Sequence, residues 1–97
     1  MKVLIASVGQ RLESLVAKRF EHASWYLLVD VETHAMEVLP HRTPQDRHAA
    51  LEEAGKQGAS VVVAGKFGES SLKLLRTHGM RAALLHGIAA HEAIEKI

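Results

Sequence analysis

Three stretches of the chain gather residue types that can do chemistry. The first is Gly65-Lys66-Phe67-Gly68-Glu69-Ser70-Ser71, which follows an apolar run and leads into a helical pattern. Free backbone N–H groups at a helix start can hold an anion, and glycine lets a ligand approach the backbone closely. The spacing is neither GxxxxGK[ST] nor GxGxxG, so this is not a nucleotide loop of either kind. The plainer alternative is a tight strand-to-helix turn. The second stretch, Pro40 to His48, collects Arg42, Arg47, His41 and His48. Arg47 falls on the helical face of Leu51 and Ala54. It can reach back toward a pocket, or lay its stem on the core and keep its head in water. His41 and His48 read equally as solvated loop and helix residues. The third stretch is Lys18-Arg19-Phe20-Glu21-His22. Phe20 is a core candidate, whereas Arg19 and His22 begin a loop and can both face a ligand.

Other chemistries find no residues to perform them. The chain has no cysteine, so disulfides and thiolate metal ligands are excluded. His91-Glu92 is followed by Glu95 rather than a second histidine, so there is no HExxH, and no G-x-S-x-G elbow occurs. The first apolar run carries no acid. In the second, Asp30 is the only one, and it marks the strand's end beside a turn. With 12 Lys+Arg against 11 Asp+Glu, no basic excess asks for a nucleic-acid partner. Seven scattered histidines are the one unusual count. The apolar start, Val3 to Ala6, is too short for a signal peptide and runs into Arg11 and Glu13. No stretch approaches membrane-spanning length, and a cytoplasmic location is expected.

The elements that must position these residues follow from the hydrophobic pattern. A length of 97 residues, 47% hydrophobic and 24% charged, bounds the chain to one domain, 1–97, with a modest core. Val3–Ala6 and Val61–Ala64 are continuous apolar runs and read as strands buried on both faces. Trp25–Val31 and Met36–Leu39 read as two strands close enough to pair as an antiparallel hairpin. Leu12 to Phe20 is mixed and can hold a short helix. Thr43 and Pro44 suit the cap and first position of a helix carrying Ala50, Leu51 and Ala54 inward and ending at Gly58. A second helix is predicted from about Glu69 to His78, stopped by Gly79, with Leu72 and Leu75 facing inward. A short strand from Ala82 to Leu85 and a closing helix from Ala89 to Ile97 complete the order. Helices interleaved with apolar strands imply an α/β fold whose mixed sheet is covered on both faces. Ligands then gather beyond the carboxyl ends of the parallel strands. Ser7–Glu13, Gly65–Gly68 and His86-Gly87 are all expected there.

The order of elements and four short motifs resemble the nitrogenase iron–molybdenum cofactor biosynthesis family, which includes NifX, NafY and the C-terminal domain of NifB. The motifs are Val16-Ala17-Lys18-Arg19-Phe20 followed by Ala23 and Tyr26–Asp30; the turn Val31-Glu32-Thr33; Val61–Gly68 with Leu72–Leu75 and Gly79; and Gly87 with Glu92-Ala93-Ile94. Each is weak alone, whereas their order and spacing together are fairly specific. The resemblance covers Lys2 to Ile94. It implies a ribonuclease-H-like three-layer fold with a five-stranded mixed sheet. It also implies a non-catalytic binding role toward metal–sulfur clusters. These are the iron–molybdenum cofactor or its precursor, or the non-covalent molybdenum–copper sulfide cluster of the orange-protein branch. The sequence departs from the family at Arg19-Phe20-Glu21, where the family has His-Phe-Gly. Arg19 replaces the histidine implicated in cofactor binding, and His22 lies three positions on. Arg42-Thr43-Pro44-Gln45 stands where the family has a glycine-rich segment.

These residues lead to a binding module for an anionic metal–sulfur cluster, seated among the loops at Gly9, Arg19–His22, Arg42–His48 and Gly65–Gly68. His22 is the candidate metal ligand. Arg19, Arg42 and Arg47 supply charge, His48 lies beside them, and Gly65, Lys66 and Gly68 offer backbone donors and one further charge. Without cysteine, binding is expected to be weak and to rest on charge, hydrogen bonds and an imidazole. A donor or acceptor protein for the cluster is a further expected partner. The departures equally suit a protein-interaction or regulatory domain that has lost cluster binding. An enzyme for a small phosphorylated or carboxylated molecule is a third alternative, for which no acid–base pair presents itself.

Overall fold

A computed structural model describes all 97 residues. Its strands are β1 (Lys2–Ser7), β2 (Trp25–Asp30), β3 (Met36–Pro40), β4 (Val61–Ala64) and β5 (Arg81–Leu84). Its α-helices are α1 (Pro44–Lys56), α2 (Glu69–Thr77) and α3 (Ala90–Glu95). The five strands form one sheet in the order β3-β2-β1-β4-β5. β2 runs antiparallel to both β1 and β3, while β1, β4 and β5 run parallel to one another. The expected mixed sheet and its hairpin are present, and the β1–β2 pair adds a second antiparallel contact.

Both faces of this sheet are buried, which is why β1 and β4 read as unbroken apolar runs. Alternate residues serve opposite layers. Leu4, Ala6, Leu28 and Val62 pack with Ala50, Leu51, Ala54 and Leu75 of α1 and α2. Val3, Ile5, Val29 and Val61 pack with Ala90, Ala93 and Ile94 of α3. The result is three layers, with two helices on one face and one on the other.

Helix ends follow local chemistry. Thr43 Oγ1 accepts a hydrogen bond from the Asp46 N–H at 3.2 Å, and Pro44 is the first residue of α1. Gly58 and Gly79, just past α1 and α2, have φ of +82° and +70°, where a side chain would be strained. Asp30 Oδ1 accepts from the N–H groups of Glu32 and Thr33 and so tightens the β2–β3 turn.

One expected element is absent. Residues 12–20 form no α-helix; they run as an irregular segment into a short 3-10 turn at Phe20–His22. Their backbone is committed elsewhere. The Val8 N–H donates to Leu15 O, the Val16 N–H to Ile88 O and the Ala17 N–H to Ala6 O, at 2.8–3.0 Å. A helix would have forfeited these bonds to β1 and to the segment before α3.

Candidate functional site

The strand registers place Ser7, Trp25 and Pro40 level with one another, and Ala64 level with Leu84, at one end of the sheet. The loop after β1, the segment before β2, and the starts of α1, α2 and α3 all meet there. This is the end where an open parallel sheet leaves a crevice.

The irregular segment 12–20 and the β5–α3 connection enclose a groove of about 500 Å3 at this end. Its floor is apolar, Val16 and Ala17, and so is its lip, Val8 and Leu15. Lys18, Arg19 and His22 line one side, and His86 and Gly87 line the other. No carboxylate lines it. Elsewhere, no group of three or more His, Cys, Asp or Glu side chains converges as a ready-made metal site.

Gly65 forms the joint between the two walls. A Cβ on Gly65 would sit 2.5 Å from Lys18 O and 2.8 Å from His86 Cβ. Its own N–H donates to Ala17 O at 2.9 Å. Gly65 is therefore required by close packing, and its N–H is not free for a ligand. Lys66 is exposed and holds the turn through its carbonyl, which accepts from the Phe20 N–H at 2.8 Å.

The start of α2 already carries an anion. Glu21 Oε2 accepts from the Gly68 N–H at 2.9 Å and from the Ser71 hydroxyl in a very short contact. Glu21 Oε1 lies 3.8 Å from Arg19 Nη2, and the Glu21 side chain is only 16% exposed. Burial alone would raise its pKa. The Ser71 hydroxyl, the backbone N–H groups and the Arg19 charge outweigh that and hold the carboxyl below the usual range. Glu21 thus fills the position that a bound anion was expected to take at Gly68.

Arg47 points to the opposite side of Glu21. Its Nη2 donates to the Glu21 carbonyl at 3.3 Å. It also neighbours the Tyr26 phenol, whose pKa burial pushes far above normal. The Tyr26 hydroxyl donates to Phe20 O at 2.8 Å, and His41 Nδ1 lies 2.6 Å from Ala23 O. Tyr26 and His41 therefore pin both ends of the turn that carries Arg19 and His22. Three buried side-chain polar atoms have no hydrogen-bond partner, and all belong to this locus: Arg19 Nε, Glu21 Oε1 and Arg47 Nε.

The expected site residues therefore separate. Arg19 and His22 line the groove, and Gly65 shapes it. Gly9 lies in the loop after β1, packed against Ser14, and its neighbour Val8 reaches the groove. Arg42 is turned outward, its side chain 78% exposed and paired with Asp46 at 3.5 Å. Arg47 and His48 line a different groove, between α1 and α2. Gly68 is occupied by Glu21. Sequence reasoning placed His86 and Gly87 at this end but assigned them no role, and it named Lys18 and Glu21 in their stretch without assigning either one. Glu21 meets Gly68 across 47 positions of sequence, a contact no local pattern signals.

Comparison with known proteins agrees with this fold. The family described as dinitrogenase iron–molybdenum cofactor matches residues 1–97. The orange protein from Desulfovibrio gigas, solved in its apo form, superposes with a TM-score of 0.82 at 24% identity, over 98% of this chain and 84% of its own. A Thermotoga protein provisionally described as NifB gives 0.77 at 26% identity, over 97% and 84%. A Methanocaldococcus jannaschii protein provisionally described as a dinitrogenase gives 0.73 at 14%, over 97% and 84%. No curated protein matches the chain.

Proposed function

Because the chain belongs to the dinitrogenase iron–molybdenum cofactor family, we propose that its 97 residues act as one binding domain whose cargo is an anionic metal–sulfur cluster. The cluster is of the iron–molybdenum–sulfur or molybdenum–copper–sulfur kind. The role is carriage rather than catalysis, with transfer to or from a second protein. The observation that supports this reading is the groove of about 500 Å3, with its apolar floor, two cations, two imidazoles and no carboxylate.

The residues fit such a cargo. A sulfide-rich cluster carries negative charge spread over large, weakly hydrated atoms. Lys18 and Arg19 supply the attraction, stronger at a partly buried site than in water. His22 and His86 offer ring nitrogens to a metal. Leu15, Val16 and Ala17 meet the sulfide surface without competing water. With no cysteine to form a metal–thiolate bond, the cargo is held non-covalently and released readily, as suits a carrier. Val8 and Leu15, 55% and 52% exposed at the lip, suit the docking of the donor or acceptor protein.

Anaerobic titration of the protein with tetrathiomolybdate, alone and with copper or iron, tests the reading by visible absorption. Saturable binding that is lost in Arg19→Ala or His22→Ala supports it. The Glu21 carboxylate at the start of α2 favours a second reading, a protein-interaction domain that no longer takes a cluster. Wild-type protein that binds none of these species would select that second reading.

A further inference from the structure

The groove between α1 and α2 is separate from the cluster groove and lies on the other side of Glu21. Its volume is about 240 Å3, below the usual range for a drug-sized organic ligand. Arg47 and His48 line it from the first turns of α1, and Ser70 and Lys73 from α2. No carboxylate lines it. Neither Arg47 nor Lys73 takes part in any of the four ion pairs of the molecule, so two positive charges line a small space without an ion-pair partner.

The donors there are also unused. Arg47 is fixed by its single bond from Nη2 to the Glu21 carbonyl, and its buried Nε has no partner. A guanidinium anchored through one nitrogen is a fixed charge rather than a waving surface one. Ser71 and Thr77 are already committed, donating to the Glu21 carboxylate and to Lys73 O. The Ser70 hydroxyl, Lys73 Nζ and the His48 ring remain available in the groove that Arg47 also lines.

We propose that this groove is a second anion site, one that takes a phosphate group. A small dianion with several acceptor oxygens offsets the charges of Arg47 and Lys73 and accepts from Ser70 at once. A carboxylate, with one charge and two oxygens, would satisfy less of the set. The phosphate belongs either to free inorganic phosphate or to a small phosphomonoester.

Amide chemical shifts of the isotope-labelled protein test this, with inorganic phosphate and glycerol phosphate added separately against sodium chloride of equal ionic strength. The expected result is saturable shifts at residues 47–48 and 70–74 that chloride does not reproduce. Saturation by phosphate alone identifies the free ion, and tighter saturation by the ester identifies a phosphorylated small molecule. Lys73→Glu, at an exposed position that the fold does not depend on, weakens binding about tenfold or more, as expected for losing one charge-assisted hydrogen bond. Arg47→Gln does the same. Shifts that fail to saturate, that map to Lys18, His22 and His86 instead, or that persist with unchanged affinity in Lys73→Glu, overturn the proposal.

Discussion

Replacing Glu21 by glutamine removes one charge while keeping the side chain's size. The carboxylate accepts from the Gly68 N–H and the Ser71 hydroxyl. Hydrogen bonds to a charged group contribute about 1.5–3 kcal/mol and neutral ones about 0.5–1.5, so the change costs about 1–1.5 kcal/mol per bond. The Arg19 contact, at 3.8 Å with Arg19 itself 41% exposed, adds less than about 1 kcal/mol. Glu21→Gln should therefore lose about 2–3 kcal/mol at neutral pH, lowering Tm by about 10–20 °C in a domain of this size. The sign of the pH dependence follows from the depressed pKa. A carboxyl that ionises more readily when folded stabilises the fold fully above its unfolded pKa. That contribution fades as pH falls through the lower, folded value. The gap between wild type and Glu21→Gln should thus be complete at pH 7 and close below about pH 4. Urea unfolding followed by Trp25 fluorescence at several pH values measures it. A gap that stays constant from pH 7 to pH 3, or no gap at pH 7, would refute the assignment of Glu21 as the internal anion of α2.

Three further outcomes are expected. Gly65→Ala forces its Cβ to within 2.5 Å of Lys18 O and 2.8 Å of His86 Cβ, so the walls must part. Urea unfolding should show a loss of about 1–3 kcal/mol, and tetrathiomolybdate titration a weaker affinity; unchanged affinity would mean the two walls do not act together. Tyr26→Phe keeps the ring contacts with Phe20 and His41 at 5.0 and 4.9 Å but leaves the Phe20 carbonyl without its 2.8 Å donor. A loss of about 1–3 kcal/mol is expected by thermal unfolding, together with weaker binding of the same anion. His86→Ala, at an exposed position, should leave unfolding unchanged within about 0.5 kcal/mol while lowering cluster affinity in the anaerobic titration.

Much of the fold was legible because its causes are local. Val3–Ala6 and Val61–Ala64 announce strands covered on both faces, Thr43-Pro44 announces a helix start, and Gly58 and Gly79 announce helix ends. Residues 12–20 misled because their mixed pattern permits a helix, whereas the Val16 and Ala17 N–H groups are spent on the Ile88 and Ala6 carbonyls, and the Leu15 carbonyl on the Val8 N–H. The site was legible only in part. The resemblance and the strand order led to the end of the sheet where the groove lies, and to Arg19 and His22, which line it. They did not separate Arg47 and His48 from it, because which side of Glu21 a side chain faces depends on how α1 packs beside α2. Nor did they show that Glu21 occupies the Gly68 N–H. That contact joins segments far apart in sequence, and only the closed sheet brings them together.

The central claim is that the groove at the carboxyl ends of β1, β4 and β5 receives an anionic metal–sulfur cluster. The most direct test is an anaerobic titration of labelled protein with tetrathiomolybdate and copper, read residue by residue through amide chemical shifts. Saturable changes confined to Val8, Leu15–Arg19, His22 and His86-Gly87 are expected, abolished in a Lys18→Glu, Arg19→Ala double variant. Changes centred elsewhere, or none at saturating cluster, would contradict it.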